Sequence, residues 1–106
     1  KGNSTLQLLD LSRNCIGAEG ASALAAVLKE TQITDLNLAS NELCGIDRYG
    51  RGTYTAEGIT KLCEALKGSA VTSLSLQKNN IGGEGASALA AILKETQISE
   101  LDLKGN

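Results

Sequence analysis

The chain has 106 residues, enough for one domain with a modest hydrophobic core. Hydrophobic residues make up 42% of it, but Phe, Trp, Met and Pro are absent, so Leu, Ile, Val and Ala must fill the core. The formal net charge of -2 argues against nucleic acid as the main partner, because phosphate binding needs a basic surface.

The first predicted strand lies near residues 8–11, in the segment LQLLDLSRNCI, and a helix is predicted near residues 18–30. A second strand is predicted near 35–38, where ITDLNLASNEL repeats the first segment 27 positions later. The shared pattern is LxxLxLxxNxL, and self-similarity at a fixed spacing is typical of repeat proteins.

An inserted segment follows the second strand. The next copy of the pattern comes 38 residues later instead of 27, so the second unit carries eleven extra residues, CGIDRYGRGTY at 44–54. Its glycines predict a loop that protrudes at the rim of the sheet. It contains both tyrosines and two of the three arginines, residue types that dominate binding hot spots.

We therefore predict partner contacts in the inserted segment at Asp47, Arg48, Tyr49, Arg51 and Tyr54. The alternative is that its tyrosines hold the loop against the neighbouring unit. Tyr54, next to the start of the following helix, is the best candidate for that ordering role.

The remaining elements continue the alternation of strand and helix. A helix is predicted near 56–67, a strand near 73–76, a helix near 83–95 and a last strand near 100–103. Apolar residues recur at helical spacing and predict these buried stripes: Ala21, Leu24, Val27 and Leu28; Ile59, Leu62, Ala65 and Leu66; Ala86, Leu89, Ile92 and Leu93.

One asparagine recurs after each strand, at Asn14, Asn41, Asn79 and Asn106. At this point the chain leaves the strand in a non-regular turn. An inward-facing amide there can satisfy backbone groups of its own turn and of the neighbouring unit. We predict a structural role for all four.

The pattern resembles leucine-rich repeats of the ribonuclease-inhibitor type, which also occur in Ran GTPase-activating proteins and intracellular immune receptors. The resemblance implies an α/β fold: a right-handed solenoid with a parallel sheet on the concave face and helices on the convex face. It implies one domain over residues 1–106, with units at about 6–32, 33–70 (with the insertion 44–54) and 71–97, and a partial unit at 98–106.

The resemblance also implies that the concave face binds a protein partner. Its side chains are the strand positions between the leucines and the positions just after each strand. The candidates for partner contact are Asp10, Arg13, Asp35, Asn37, Ser75, Gln77, Lys78, Glu100, Asp102 and Lys104. The alternative is a solvated face of mixed charge.

No catalytic residue, metal site or cofactor is predicted. The chain has no His, no CxxC and no complete phosphate-binding glycine motif, and its three cysteines fit reduced thiols. No apolar run reaches the roughly 20 residues that span a membrane. We expect a cytoplasmic protein that binds neither membrane nor nucleic acid.

The favoured function is a protein-interaction scaffold without catalysis. The alternatives are a Ran-directed type of GTPase activation, or a sensor segment of a larger receptor. Since no polar capping unit stands at either end, we expect a fragment of a longer array. Its exposed leucine layers, beside Leu6 and Leu9 and beside Leu101 and Leu103, predict end-to-end self-association or marginal stability.

Overall fold

A computed structural model describes residues 7–47 and 49–106, so the predictions at Leu6 and Arg48 lie outside the described residues. Strands and helices alternate along the chain, and one turn of 3-10 helix follows the last α-helix. The elements are β1 (Leu8–Asp10), α1 (Gly17–Leu28), β2 (Asp35–Asn37), α2 (Glu57–Leu66), β3 (Ser73–Ser75), α3 (Gly82–Ile92), the 3-10 turn (Leu93–Glu95) and β4 (Glu100–Asp102).

The four strands form one parallel sheet in the order β1-β2-β3-β4. The register aligns Leu9 with Leu36, Leu36 with Leu74, and Leu74 with Leu101. Each strand therefore pairs with the equivalent strand of the next unit, as the 27- and 38-residue spacings predict. The parallel strands alternate with helices, so the α/β class is confirmed.

The helices start within one residue of the predicted positions but end one to three residues earlier. A side-chain hydroxyl near each helix end donates a hydrogen bond to the carbonyl three residues before it. Thr31 Oγ1 donates to Leu28 O (3.1 Å), Ser69 Oγ donates to Leu66 O (3.1 Å), and Thr96 Oγ1 donates to Leu93 O (2.9 Å). These bonds satisfy carbonyls that a helix end leaves without an intrahelical partner.

One hydrophobic core joins the sheet to the helices, and α2 contacts both α1 and α3. The predicted stripe of α2 is buried throughout, but Val27 in α1 is 46% exposed and Ala86 in α3 is exposed. Ala25 and Gly85 are buried on those helices instead. Small residues occupy the inner face there, which allows close packing.

The recurring asparagines connect neighbouring units. Asn79 Oδ1 accepts hydrogen bonds from the backbone N–H groups of Asn41 (2.8 Å) and Leu43 (3.2 Å), and its Nδ2 donates to Leu38 O (2.9 Å). Asn41 serves the first unit in the same way, and Asn106 serves the third. Asn41 and Asn79 are fully buried. Their predicted structural role is confirmed.

Candidate functional site

The open face of the sheet carries a groove that crosses all four strands. We call it the sheet-face groove. It brings together seven of the ten side chains predicted for this face: Asp10, Asp35, Asn37, Ser75, Glu100, Asp102 and Lys104. Leu8 also lines it and is 63% exposed. The alternation of a strand places these side chains opposite the buried leucines.

Three of these residues also stabilise the turn that ends their strand. The side chains of Asp10, Asn37 and Asp102 accept a hydrogen bond from the backbone N–H two residues later, at 3.0, 3.0 and 3.1 Å. Gln77, predicted as a partner contact, is half-buried and donates its amide to Asp102. The sequence signal for the turn-stabilising role of Asp10, Asn37 and Asp102 was an Asp or Asn at the end of a strand.

These hydrogen bonds stabilise the charged form of both aspartates. The backbone N–H of Ser12 and then its hydroxyl hold the pKa of Asp10 below its ordinary value. The Gln77 amide and then the Lys104 N–H lower the pKa of Asp102. Both carboxylates stay ionised to a lower pH than an ordinary Asp, whose pKa is about 3.9.

A second groove, which we call the rim groove, lies between the inserted segment and the turns after the strands. Ile46, Asp47 and Tyr49 of the inserted segment line one part of it. The rest is lined by Arg13, Cys15, Ser40, Glu42, Lys78, Asn80 and Gly105. Arg13 and Lys78, predicted for the sheet face, therefore lie beside the inserted segment instead.

The backbone conformation of the turns places these residues. Arg13, Ser40 and Lys78 have φ values of 61°, 58° and 55°, in the left-handed region that side chains other than Gly rarely adopt. Their N–H groups donate to Ala39, Gln77 and Lys104 carbonyls at 2.8–2.9 Å. The backbone hydrogen bonds between neighbouring units thus place one side chain per unit at the rim.

Asp47 organises the exposed part of the inserted segment. Its Oδ1 accepts from the N–H groups of Tyr49 and Arg51, each at 2.9 Å, and its Oδ2 lies 3.8 Å from Arg51 Nε. Ile46 and Gly52 form an antiparallel bridge below this turn. The Arg51 guanidinium lies 5.0 Å from the centre of the Tyr49 ring, which is 64% exposed.

Two glycines let the hairpin close. Gly45 and Gly52 have φ values of 87° and 120°. A Cβ on Gly52 would lie 2.1 Å from Gly45 O, and a Cβ on Gly45 would lie 2.4 Å from Thr53 O. No side chain fits at either position, so both contribute to the shape of the loop.

The ends of the inserted segment do not protrude, which corrects the prediction of a loop over all eleven residues. Cys44 is fully buried in the core. Tyr54 is half-buried, packs against the core and donates its hydroxyl to Ile81 O in the next unit. Burial raises the pKa of Tyr54, and its proximity to Cys44 adds to this shift. The exposed part is therefore shorter than predicted.

The two buried thiols are poor nucleophiles. Burial raises the pKa of Cys63 to about 11, and burial is also the main cause of the raised pKa of Cys44. Thiolates are the reactive form, so these groups are unreactive at neutral pH. Within residues 7–47 and 49–106, no group of three or more His, Cys, Asp or Glu residues is placed to hold a metal ion.

The predicted contacts thus divide between two surfaces. Arg51 is exposed and contacts Tyr49 of the rim groove, Tyr54 packs against the core, and Gln77 contacts Asp102 of the sheet-face groove. Sequence reasoning missed Ser40, Glu42, Ile46 and Asn80 at the rim. Only their αL turns and the fold of the inserted segment bring them to one place.

The comparison with protein families agrees with the repeat structure. The model of the family described as Leucine Rich repeat matches residues 2–25 and 70–90. A search of curated proteins found no match. The family matches, together with the parallel sheet and its helices, support a leucine-rich repeat protein.

This class has a general function. Leucine-rich repeat domains generally mediate protein–protein interactions, and they are typically non-catalytic binding modules. No helix in the described part of the chain has both the length and the apolar character needed to cross a membrane.

Proposed function

We propose that this protein is a protein-interaction module built as a solenoid of ribonuclease-inhibitor-type repeats, with no catalysis of its own. The proposed domain covers residues 1–106, with its units at about 6–32, 33–70, 71–97 and 98–106. A helix in each of the first three units and the one-to-one strand register support this subtype. Two buried reduced thiols fit a cytoplasmic location, which is part of the proposal.

The rim groove is the observation that carries the proposal. It combines an exposed aromatic ring, an apolar contact at Ile46 and two cations, Arg13 and Lys78, that extend from turns hydrogen-bonded to the neighbouring unit. Hot spots combine aromatic and Arg side chains, and a preorganised surface loses little entropy on binding. We propose that Tyr49 is the anchor and that Arg51 supports it from one side.

The sheet-face groove supplies the second part of the proposed surface. Three of its polar side chains, those of Asp10, Asn37 and Asp102, are held by hydrogen bonds to the turns. It joins the rim groove at the strand ends, where Lys104 and Lys78 are backbone neighbours. A protein partner that contacts the rim loop would therefore also cover part of the sheet.

The proposal is tested with two matched forms of the chain, each used as a bait to capture binding proteins. In the first, the chain is intact. In the second, Asn-Gly replaces residues 47–51 between Ile46 and Gly52, which preserves the bridge pair and a two-residue hairpin turn. Cys44 and Tyr54 are retained because both contribute to the core.

We expect the intact chain to retain at least one protein that the shortened chain does not retain. The amount of that protein retained should rise in direct proportion to the concentration of intact bait. The shortened chain should unfold cooperatively, as the intact one does. If every protein that the intact chain retains also binds the shortened chain with equal affinity, the rim groove is not the binding surface.

A further inference from the structure

Charged side chains on the open side of the sheet fall into two sets of opposite sign. The acidic set lines the sheet-face groove and consists of Asp10, Asp35, Glu100 and Asp102. The basic set follows the strand ends and consists of Arg13, Lys78 and Lys104. Within the described residues, the salt bridges are Asp47–Arg51, Glu64–Lys67 and Glu95–Lys67, so no member of either set is neutralised in this way.

The two sets lie side by side. The Lys78 N–H donates to Lys104 O at 2.9 Å, and a Cβ on Gly105 would lie 2.9 Å from Lys78 Cγ. The Lys78 side chain therefore lies over the turn that follows β4. Asp102 precedes Lys104 by two residues, about 7 Å along an extended chain. A boundary between negative and positive charge thus runs across the strands near their carboxyl ends.

Other charges do not remove this polarity. Glu42 lines the rim groove beside Arg13 and Lys78, which leaves that group of three with a net positive charge. Asp47 is engaged by Arg51 and by two backbone N–H groups. Lys104 is near enough to Asp102 to contribute to its lowered pKa, but three carboxylates remain beyond it on the sheet.

A surface with adjacent halves of opposite charge is complementary to itself. A two-fold axis that lies along the boundary, in the plane of the interface, places the acidic half of one protomer on the basic half of its partner. The reverse contact forms at the same time. We propose that a second copy of this chain docks face to face on this surface, with the acidic set of each protomer against the basic set of its partner.

The second copy is favoured as the occupant because both complementary halves are on the same molecule. Because the charges are exposed, the association should be weak and sensitive to salt.

The test uses two charge-reversed variants of the full chain. In Asp35→Lys/Glu100→Lys, the acidic half loses its net charge, because two lysines balance Asp10 and Asp102, and the basic half stays positive. In Arg13→Glu/Lys78→Glu, both halves become negative. These residues were chosen because Glu100, Arg13 and Lys78 use no side-chain hydrogen bond within the described residues, and Asp35 accepts only from Thr34 Oγ1. Asp10 and Asp102 are left intact because they stabilise turns.

Sedimentation equilibrium measures the association of each chain and of the mixture. The unmodified chain should dimerise at about 20 mM salt, with a dissociation constant at least about tenfold higher at 500 mM. Each variant alone should be monomeric at both salt concentrations. An equimolar mixture should form a heterodimer, since the unchanged basic half of the first variant can face the unchanged acidic half of the second, and the other contact has no strong repulsion.

The matched control is Glu19→Lys/Glu30→Lys, which changes the net charge from -2 to +2 as the first variant does but at exposed residues outside both grooves. It should dimerise like the unmodified chain, and its mixture with Arg13→Glu/Lys78→Glu should not gain dimer. If a reversed variant fails a circular-dichroism check of folding, Asp35→Asn/Glu100→Gln and Arg13→Gln/Lys78→Gln replace the pair, and each should reduce the salt dependence.

A monomeric unmodified chain at low salt would overturn the proposal, as would a mixture of the reversed variants that stays monomeric. Open-ended assembly that is insensitive to both reversals would instead indicate the predicted end-to-end contact beside Leu9, Leu101 and Leu103. The proposal does not depend on the binding of a different protein. If both occur, the second copy and that partner compete for one surface, and added partner should dissociate the dimer.

Discussion

At the scale of single residues, the buried asparagines connect the sequence repeat to the stability of the fold. Each amide satisfies donors and acceptors of two neighbouring turns, which no apolar residue of the same size can do. The left-handed residues next to them adopt strained backbone conformations, and the asparagine bonds help to hold them there.

Asn79→Ala should therefore be strongly destabilising. It removes the acceptor of two buried N–H groups, those of Asn41 and Leu43, and we expect a loss of about 2–5 kcal/mol in the free energy of unfolding. Asn14→Ala is the matched control, because Asn14 is exposed and its amide bonds lie within its own turn. Urea denaturation should show a loss of less than about 1.5 kcal/mol for the control. Equal losses would contradict the role of the buried ladder.

At the scale of elements, the inserted segment has two parts with different roles. Its ends, at Cys44 and Tyr54, are part of the core, and the hairpin between Ile46 and Gly52 is exposed at the rim. The Tyr54 hydroxyl connects the end of the segment to the start of the next helix, because Ile81 immediately precedes α3. The segment is thus positioned by the third unit as well as its own.

Tyr54→Phe removes this hydrogen bond and keeps the ring. We expect a loss of about 1 kcal/mol in the free energy of unfolding, since the Ile81 carbonyl loses a donor. Tyr54→Ala also removes the packing of the ring and should cost more, roughly 2–4 kcal/mol. Thermal and urea unfolding measure both. A phenylalanine variant as stable as the unmodified chain would show that the hydroxyl does not fix the segment.

Most of the elements could be predicted because the same spacing recurs. The leucine positions fix the strands and their register, and the asparagine positions fix the turns. The burial of Cys44 could not be predicted, since it depends on contacts that the inserted segment makes in three dimensions. The rim groove was only half predicted. Tyr49 and Arg51 stand out by composition, but the approach of Lys78 requires the αL turn and the neighbouring unit.

At the scale of the whole molecule, each unit is stabilised mainly by its neighbours along the sheet. Leu74 has strands on both sides and is 2% exposed, whereas its register partner Leu101 is half-buried on β4. Stability of this kind is approximately a sum of contacts between adjacent units. It should therefore be unequal along the sheet of residues 7–106.

Matched substitutions at these two positions test this distribution. Leu74→Ala should lower the free energy of unfolding by about 3–5 kcal/mol, because it leaves a cavity in a closed core. Leu101→Ala should lower it by about half as much. Hydrogen exchange of the strand amides should follow the same order, with β2 and β3 protected longer than β4. Similar losses for the two variants would indicate that β4 is as well supported as β3.

The binding surface is also a property of the whole molecule, since the rim groove needs the first three units and the turn after β4. The most direct measurement is calorimetric titration of the protein captured by the intact chain against the Tyr49→Ala variant. Tyr49 is the most exposed residue of the groove that has a large hydrophobic side chain, and it lies outside the core. We predict a dissociation constant about 5- to 30-fold higher, equivalent to about 1–2 kcal/mol, with the unfolding free energy unchanged within about 0.5 kcal/mol. An unchanged dissociation constant for Tyr49→Ala and for the chain with 47–51 replaced by Asn-Gly would show that the partner binds elsewhere.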